Sequence, residues 1–258
     1  MNFVEEIINF IEDIGIDFSI YQNEIIIPSK SLSILLIPDS STESRSNKIL
    51  DSSKFDYHPI YIREYLWISK SSVIKSMIRA RLNLAQSIYA RDCSVKILGK
   101  EIANSFLRKN HLIGEVKAKY YYGLYKKDLL VAAAAFSKAR VMNREDGLVE
   151  SFEWVRYAGI DSMRVVGGMG KILEFFINNV NPQEIMSYAD RDWSEGDAYL
   201  KLGFRFHSYT KPYKFSYNYA NEKITPIKAE RLESNLDLLD NSKVISNNGN
   251  LKFLLRRF

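Results

Sequence analysis

The stretch Val165-Val166-Gly167-Gly168-Met169-Gly170-Lys171 has the composition of a tight turn between a strand and a helix. Two valines precede the glycines, and apolar residues recur at helical spacing from the turn to about Asn179. Glycine lets the backbone approach a ligand closely, and the first amides of a helix can bind phosphate. Glycine turns of this kind also serve packing alone, so both interpretations remain open for this stretch.

The segments around this turn predict a mixed sheet with helices on its faces. The run Leu129–Phe136 is apolar at every position, which is typical of a central strand that is buried on both sides. The order of strands and helices indicates an α/β (α+β) fold. The predicted elements are strand 95–98, helix 100–109, strands 119–125, 129–137 and 152–158, a helix from the glycine turn to about 179, strand 184–189, helix 194–202 and strand 203–209.

The first part of the chain predicts a smaller α/β domain. Its patterns indicate a helix at 3–16, a hairpin of strands at 24–28 and 32–37, a strand within 57–67 and a basic amphipathic helix at 72–84. A length of 258 residues suits two domains. The predicted division is a first domain at 1–88, a second at 89–219 and a C-terminal extension at 220–258 that packs on the core.

Composition excludes several classes of protein. The single cysteine, Cys93, allows neither an internal disulfide nor a thiolate zinc cluster, and the three histidines are scattered. No apolar run approaches the ~18–20 residues that span a bilayer, and the acidic start Met1–Glu6 does not resemble a secretory signal. We therefore expect a cytoplasmic protein with no metal cofactor and no membrane partner.

The net charge of +5 is unevenly distributed. Residues 1–50 carry three basic and eight acidic side chains, whereas residues 51–110 carry eleven basic and five acidic ones. A basic segment can face a polyanion such as DNA or RNA, or it can be a solvated helix surface, and the pattern fits both. The candidate nucleic-acid-binding residues are Lys70, Lys75, Arg79 and Arg81.

The pattern Tyr199-x-Lys201-x-Gly203-Phe204 follows the glycine turn by about thirty residues. A helix that ends at Gly203, with Phe204 in the core, accounts for the glycine and the phenylalanine. Together, the turn, its helix, the next strand and this pattern resemble the acyl-CoA-binding core of the GNAT family of N-acetyltransferases. The resemblance covers roughly residues 93–218.

This resemblance implies a fold, a cofactor and a set of site residues. The expected cofactor is acetyl-CoA, with its pyrophosphate on the loop amides and its arm in a splay between two neighbouring strands. Tyr199 falls on the tyrosine that protonates the leaving thiolate. The family usually has Gln or Arg three residues before Gly168, whereas this chain has Val165 there and Arg164 one position earlier. The implied cofactor-binding residues are Val166, Gly167, Gly168, Met169, Gly170 and Lys171.

Two residues are candidates for the base that accepts a proton from the acceptor amine. Asp190 follows a buried strand beside the implied splay, and His111 has a side chain that titrates near neutral pH. His111 is equally well placed to cap the preceding helix. Asp192 is expected to form the turn and to cap the following helix.

A narrower resemblance concerns four longer segments of the sequence. The segments are Tyr89-Ala90-Arg91-Asp92-Cys93, the stretch 106–114, Val166-Gly167-Gly168 and the stretch 187–194. They resemble phage and mobile-element proteins in which an acetyltransferase-like domain follows a nuclease domain of the very-short-patch-repair type. The stretch 187–194 also resembles phage acetyltransferase-like proteins that modify adenine in DNA.

The resemblance implies that the first domain is a degenerate nuclease. Its strands have no acidic residue in their interiors, and the only candidate metal ligands are Glu24, Asp39 and His58. We interpret the domain as a docking scaffold. The chain is therefore predicted to be an acyl-CoA-dependent N-acyltransferase that acts on nucleic acid or a nucleic-acid-associated substrate. The alternative is a non-catalytic module that binds nucleic acid or protein and retains the GNAT fold.

Overall fold

The computed structural model describes residues 2–39, 59–145, 147–227 and 241–256. The chain forms two compact units. Unit 1 contains Met1–Lys75, Asp190–Ser194 and Lys211–Gly249, and unit 2 contains Ser76–Ala189, Glu195–Thr210 and Asn250–Phe258. Each unit is therefore built from three separate stretches of chain. The division into domains 1–88, 89–219 and 220–258 stays a prediction. The two compact units have different bounds from these domains.

The first helix of unit 1 begins and ends at residues suited to those positions. In α1 (Phe3–Ile14), the Asn2 side chain accepts a hydrogen bond from the Glu5 amide, and the Glu5 carboxylate accepts one from the Asn2 amide. The helix ends at Gly15, whose φ of 73° is in the left-handed region. Its apolar stripe buries Ile7 and Ile11 completely.

Unit 1 contains two small sheets. The first has the order β1-β2-β3-β4, in which β3 and β4 are parallel and the other pairs are antiparallel. The second has the antiparallel order β15-β14-β16. The strands are β1 (Ser19–Tyr21), β2 (Glu24–Ile27), β3 (Leu32–Ile37), β4 (Pro59–Arg63), β14 (Lys214–Asn218), β15 (Lys223–Pro226) and β16 (Ser242–Ser246).

Helix α2 (Glu64–Arg81) starts earlier than the sequence predicted. The strand predicted within 57–67 is β4, which ends at Arg63, and the helix predicted at 72–84 begins at Glu64 and ends at Arg81. Buried positions at Trp67, Ile74 and Ile78 follow helical spacing across the whole segment. The backbone leaves helical geometry at Lys70, where φ is −143°, so two helical stretches meet at a kink there.

Unit 2 is built around one large mixed sheet. Its strand order is β13-β17-β12-β10-β8-β7-β6, with β9 paired to β10, while β5 and β11 form a separate parallel pair. The strands are β5 (Gln86–Tyr89), β6 (Ser94–Ile97), β7 (Tyr120–Lys126), β8 (Leu129–Phe136), β9 (Arg140–Arg144), β10 (Gly147–Gly159), β11 (Met163–Val166), β12 (Glu184–Asp190), β13 (Arg205–Tyr209) and β17 (Asn250–Arg256).

Helices cover both faces of this sheet, as the sequence predicted. On one face, α4 (Gly168–Val180) packs Ile172 and Phe176 against the sheet, and on the other face α3 (Lys100–Asn110) packs Ala103 and Leu107. The short helix α5 is Asp197–Lys201. The run 131–136 in β8 is fully buried, which confirms its central position. The predicted fold class, a mixed α/β sheet flanked by helices, is confirmed.

The pairing of β10 changes along its length. Ser151–Trp154 pair in parallel with Glu184–Ser187 of β12, and the register against β8 shifts between Trp154 and Arg156. From Arg156 to Gly159 the strand continues to pair with β8, but the register with β12 ends at Trp154. Within the described residues, the two central strands are therefore hydrogen-bonded at one end and separate at the other.

No helix among the described residues is long and apolar enough to cross a membrane.

Candidate active site

The glycine turn lies where the sequence predicted it, between β11 and α4. Gly167 precedes the helix with a φ of 77°, a conformation that favours glycine. A Cβ atom at Gly168 would lie 2.8 Å from Val165 Cγ1 and would also collide with the Tyr157 hydroxyl. The first turn of α4 leaves the amides of Gly168, Met169 and Gly170 without intrahelical acceptors, as in any α-helix. The turn thus combines close packing with a set of backbone amides that could donate hydrogen bonds to an anion.

Lys171 serves a structural purpose in this turn. Its Nζ donates hydrogen bonds to the carbonyl oxygens of Ala90, at 2.9 Å, and of Cys93. These bonds link α4 to the 3-10 turn after β5. Beside them lies a surface groove of ≈ 440 Å³, whose lining includes Val166 and Gly167 of the turn, the exposed Arg91 and the acidic Glu174.

Tyr157 belongs to this site, although the sequence did not single it out. Its hydroxyl is buried beside Gly168 and has no hydrogen-bond partner in the part of the chain that the structure describes. Burial raises the pKa of Tyr157 well above its usual range, so the hydroxyl keeps its proton. The bulge after Trp154 brings Tyr157 and Trp154 to the same face of the sheet, whereas strict alternation would place them on opposite faces.

Tyr199 lies at the same core cluster, on α5. Its ring stacks on Phe253 at 5.3 Å, and the ring of Trp154 meets it edge-on at 6.1 Å. The Ser187 hydroxyl lies 2.9 Å from Tyr199 Oη and 3.0 Å from the Trp154 carbonyl oxygen. The carbonyl can only accept, so all groups are satisfied when Ser187 donates to it and Tyr199 donates to Ser187. Burial raises the pKa of Tyr199.

The structure therefore brings the glycine turn and Tyr199 together in unit 2. The partly buried Met169, Tyr157, Tyr199 and Leu202 all pack against the same apolar cluster. Gly170 is also close to the end of α5, because a Cβ there would lie 3.3 Å from Leu202 Cδ2. Gly203 has a φ of 85°, as expected for the predicted helix end.

Asp190 lies in unit 1, within a network of buried polar groups. Its Oδ1 accepts hydrogen bonds from the Asp192 amide at 3.0 Å and from Asn247 Nδ2 at 3.3 Å. Burial and the negative charge of Asp192 raise the pKa of Asp190 to about 7. Asp192 in turn receives the Arg63 guanidinium, with Nε 2.7 Å from Oδ2, and this pair is nearly inaccessible to water. That ion pair is not evident from local sequence patterns, because its partners are 129 positions apart.

His111 caps helix α3. Its amide donates to the Leu107 carbonyl at 3.0 Å, and its Nδ1 accepts a hydrogen bond from the Ile113 amide at 3.0 Å. The capping interpretation accounts for both bonds. A role for His111 as the base stays a prediction, and only its Nε2 could fulfil it while the Ile113 bond is present.

The four candidate nucleic-acid-binding residues lie along α2. Lys75 Nζ lies over the rings of Phe10 and Trp67, at 5.4 and 5.3 Å from their centres, so it makes an intramolecular cation–π contact. Lys70 is at the kink, and Arg81 is exposed with acidic neighbours at Glu195 and Asp197. Lys70 and Arg79 also have interaction partners in the molecule. Binding of nucleic acid by these residues stays a prediction.

Sequence analysis also missed a buried ion cluster in unit 2. Glu184 is completely buried, and its carboxylate receives the guanidinium groups of Arg144, at 2.6 Å, and Arg256, at 2.9 Å. Burial opposes ionisation, but these hydrogen bonds outweigh it and lower the pKa of Glu184 to about 2.

The described residues contain no group of three or more side chains that could hold a metal ion. Of the candidate ligands in unit 1, the Glu24 carboxylate is buried and accepts a hydrogen bond from Ser33. Asp39 accepts a hydrogen bond from Tyr219. His58 lies outside the described residues.

No protein-family model and no curated protein matches this chain. Several solved structures are weakly similar to it. An acetyltransferase from Bacillus subtilis in complex with CoA is 12% identical with a TM-score of 0.41, over 64% of this chain and 99% of that one. A GNAT family acetyltransferase from Elizabethkingia anophelis with acetyl-CoA bound is 11% identical with a TM-score of 0.36, over 64% and 99%.

The ribosomal-protein-S18-alanine N-acetyltransferase from Escherichia coli is 12% identical with a TM-score of 0.41, over 64% of this chain and 93% of that one. These identities and TM-scores are low. The function of the site is therefore argued from the geometry of this chain.

Proposed function

We propose that unit 2 is an acyl-CoA-dependent N-acyltransferase. The observation that carries the proposal is the separation of β10 from β12 after the bulge at Trp154–Arg156. Beyond this point no register with β12 continues, and the carbonyls of Val155 and Arg156 accept hydrogen bonds from the side chains of Arg156 and Trp154. An extended amide-bearing arm like that of CoA could lie in this opening and hydrogen-bond to the backbone of β10.

The residues around the glycine turn fit the pyrophosphate of such a cofactor. The amides of Gly168, Met169 and Gly170 lie at the positive end of the α4 dipole. Tyr157 adds a buried hydroxyl without a partner in the described structure. When bound, acyl-CoA would supply a thioester whose acyl group can be transferred to an amine. Lys171, which already bonds two carbonyl groups, would position the turn and add positive charge to it.

Tyr199 is the proposed general acid. A tyrosine hydroxyl is protonated at neutral pH, and burial, which raises the pKa of Tyr199, keeps the proton in place until a leaving thiolate accepts it. Ser187, the last residue of β12 in register with β10, lies 2.9 Å from it and orients the hydroxyl. Asp190, whose pKa is raised to about 7, and His111 remain the proposed bases for the acceptor amine.

Calorimetry with acetyl-CoA tests this proposal directly. We expect binding by the full chain, and we expect Val166→Glu to weaken it at least about tenfold because two like charges would meet at the turn. Val166 is exposed at the end of β11 and lines the groove, so folding should be retained. Leu148→Glu is the matched control, since it adds the same charge at an exposed apolar position of another strand, β10. Absence of binding at millimolar acetyl-CoA would refute the proposal.

The narrower expectations from the sequence are part of this proposal. They are an origin in a phage or mobile element, a first domain derived from a nuclease, an acceptor that is or accompanies nucleic acid, and a cytoplasmic location. The alternative of a non-catalytic binding module makes a different prediction. It requires DNA or RNA affinity that falls steeply with salt and weakens when Lys70, Lys75, Arg79 and Arg81 are neutralised.

A further inference from the structure

Arg156 stands out among the charged residues of β10. Its Nε is inaccessible to water and has no hydrogen-bond partner in the described part of the chain. The one hydrogen bond that its guanidinium makes there runs from Nη1 to the carbonyl oxygen of the neighbouring Val155, at 2.8 Å. A guanidinium has five N–H donors and cannot lose its charge at physiological pH, so most of its donors have no partner among the described residues.

Glu153, three positions earlier on β10, is the acidic residue whose charge acts on Arg156. Its carboxylate forms an ion pair with Arg140 and none with Arg156. Arg156 forms no ion pair with any described residue, whereas Arg144 and Arg256 share the Glu184 carboxylate. A partly buried cation without a partner costs stability, which a bound anion would restore.

The register of β10 places Arg156 on a particular face of the sheet. Arg156 is opposite Ala135 and Ala158 is opposite Ala133, and these alanines pack with α3. The glycine turn and the buried hydroxyl of Tyr157 belong to the other face, which α4 covers. The guanidinium is thus on the side of the splay away from the proposed pyrophosphate site, at the point where β10 leaves β12.

We propose that Arg156 binds an oxyanion, a carboxylate or a phosphate group, carried by the acceptor substrate. The assignment of the anion to the acceptor substrate rests on the proposed function, whereas the anion site itself does not. Guanidinium groups match both anions through paired N–H donors, and an anion on the α3 face would orient the acceptor amine relative to the splay. Arg156 is accordingly a specificity-determining residue.

Thermal unfolding of the full chain in different anions tests the site without knowledge of the acceptor. At equal ionic strength and pH, we expect inorganic phosphate or acetate to raise the unfolding midpoint of the unmodified protein by roughly 2–4 °C relative to chloride. The anion that gives the larger rise identifies the preferred group. Arg156→Met should lose this rise, and Arg156→Lys, which keeps the charge, should retain part of it.

Arg205→Met is the matched control, because Arg205 is an exposed arginine on another strand of the same sheet. It should retain the whole rise. In chloride, Arg156→Met should unfold at a midpoint at least as high as that of the unmodified protein, since an uncompensated charge is removed. An equal anion effect in all variants, or a clear fall in the midpoint of Arg156→Met in chloride, would overturn the inference.

Acetyl-CoA calorimetry on the same variants separates the two proposals. Binding of acetyl-CoA together with an anion effect that does not depend on Arg156 would leave the proposed function and remove the acceptor site. An Arg156-dependent anion effect without acetyl-CoA binding would leave an anion site and remove the acyltransferase.

Discussion

The two ends of strand β12 hold carboxylates in opposite surroundings. At the first residue, Glu184 is neutralised by two arginines, and β12 is hydrogen-bonded to β10. At the last residue, Asp190 lies beyond the paired stretch and beside a second carboxylate. The first surroundings lower the pKa of the glutamate to about 2, and the second raise that of the aspartate to about 7.

By this contrast, Glu184 marks an end of β12 with a structural role, and Asp190 marks an end where a side chain can exchange a proton. A buried carboxylate with two guanidinium partners stabilises the charged form and is inert toward protons at neutral pH. A carboxylate whose pKa is raised exchanges its proton readily near pH 7. Ligand sites of open α/β sheets lie at the carboxyl ends of strands, which is the end that holds Asp190.

The largest change in the free energy of unfolding should come from removing the charge of Glu184, at the end of β12 that is hydrogen-bonded to β10. Glu184→Gln leaves Arg144 and Arg256 facing each other without a counter-charge, so we expect a loss of about 3–5 kcal/mol in the free energy of unfolding. Denaturant unfolding measures it. Glu150→Gln, which removes an exposed carboxylate from β10, should change stability by less than about 0.5 kcal/mol. Similar small changes in both variants would contradict the assignment of Glu184 as a structural anchor.

The pH dependence of stability should also report the contribution of Glu184. The folded pKa of Glu184 is depressed, so its contribution is complete above its ordinary value of 4.5 and is lost as pH falls toward about 2. A shift of this size corresponds to on the order of 3 kcal/mol. Unfolding free energies at several pH values should fall less steeply in Glu184→Gln over that interval. An unchanged slope would show that other carboxylates dominate acid unfolding.

A smaller change in the free energy of unfolding is expected at Ser187, the last residue of β12 in register with β10. Ser187→Ala removes the hydroxyl that bonds Trp154 O and Tyr199 Oη, and we expect a loss of about 0.5–1.5 kcal/mol. Tyr199→Phe should cost no more, because Ser187 can still donate to the carbonyl. A double-mutant cycle measures the coupling between the two hydroxyls. Strictly additive losses would show that they do not orient each other.

The smallest effect should come from Asp190→Asn at low pH. At pH 4 the raised pKa keeps Asp190 neutral, so asparagine imitates it and stability should change by less than about 0.5 kcal/mol. Because the folded pKa exceeds the unfolded one, the native protein loses stability from this group as pH rises from about 4 to 7. The variant should lack this loss and be the more stable protein at pH 8. A variant that is less stable at pH 8 would contradict the raised pKa.

Local patterns predicted much of unit 2. The glycine turn, the helix end at Gly203 and the buried strand β8 depend on conformation and burial that short stretches express directly. Strand β17 lies in the segment predicted only as an extension that packs on the core, and its position between β12 and β13 was not predicted. Neighbours in a sheet are chosen by the whole fold, and periodicity does not record that choice.

The residues that sequence analysis missed depend on distant contacts. Glu184 and Arg256 are 72 positions apart, and Arg63 and Asp192 are 129 apart. Tyr157 escaped notice for a different reason, since one bulge reverses the face on which later residues of β10 lie. In α2, only the stretch after the kink at Lys70 was predicted as helix, and the stretch from Glu64 was not.

Strand β17 lies inside the sheet rather than at its margin, between strands that precede it by more than forty residues. During synthesis, β12 and β13 therefore emerge long before the strand that joins them. Until residues 250–256 arrive, Glu184 lacks Arg256 and Tyr199 lacks the ring of Phe253. The proposed acid of the site is thus placed only by one of the last parts of the sheet to be made. Contacts between residues so far apart in sequence are slow to form, so the closing of this sheet is a candidate for the rate-limiting event in folding.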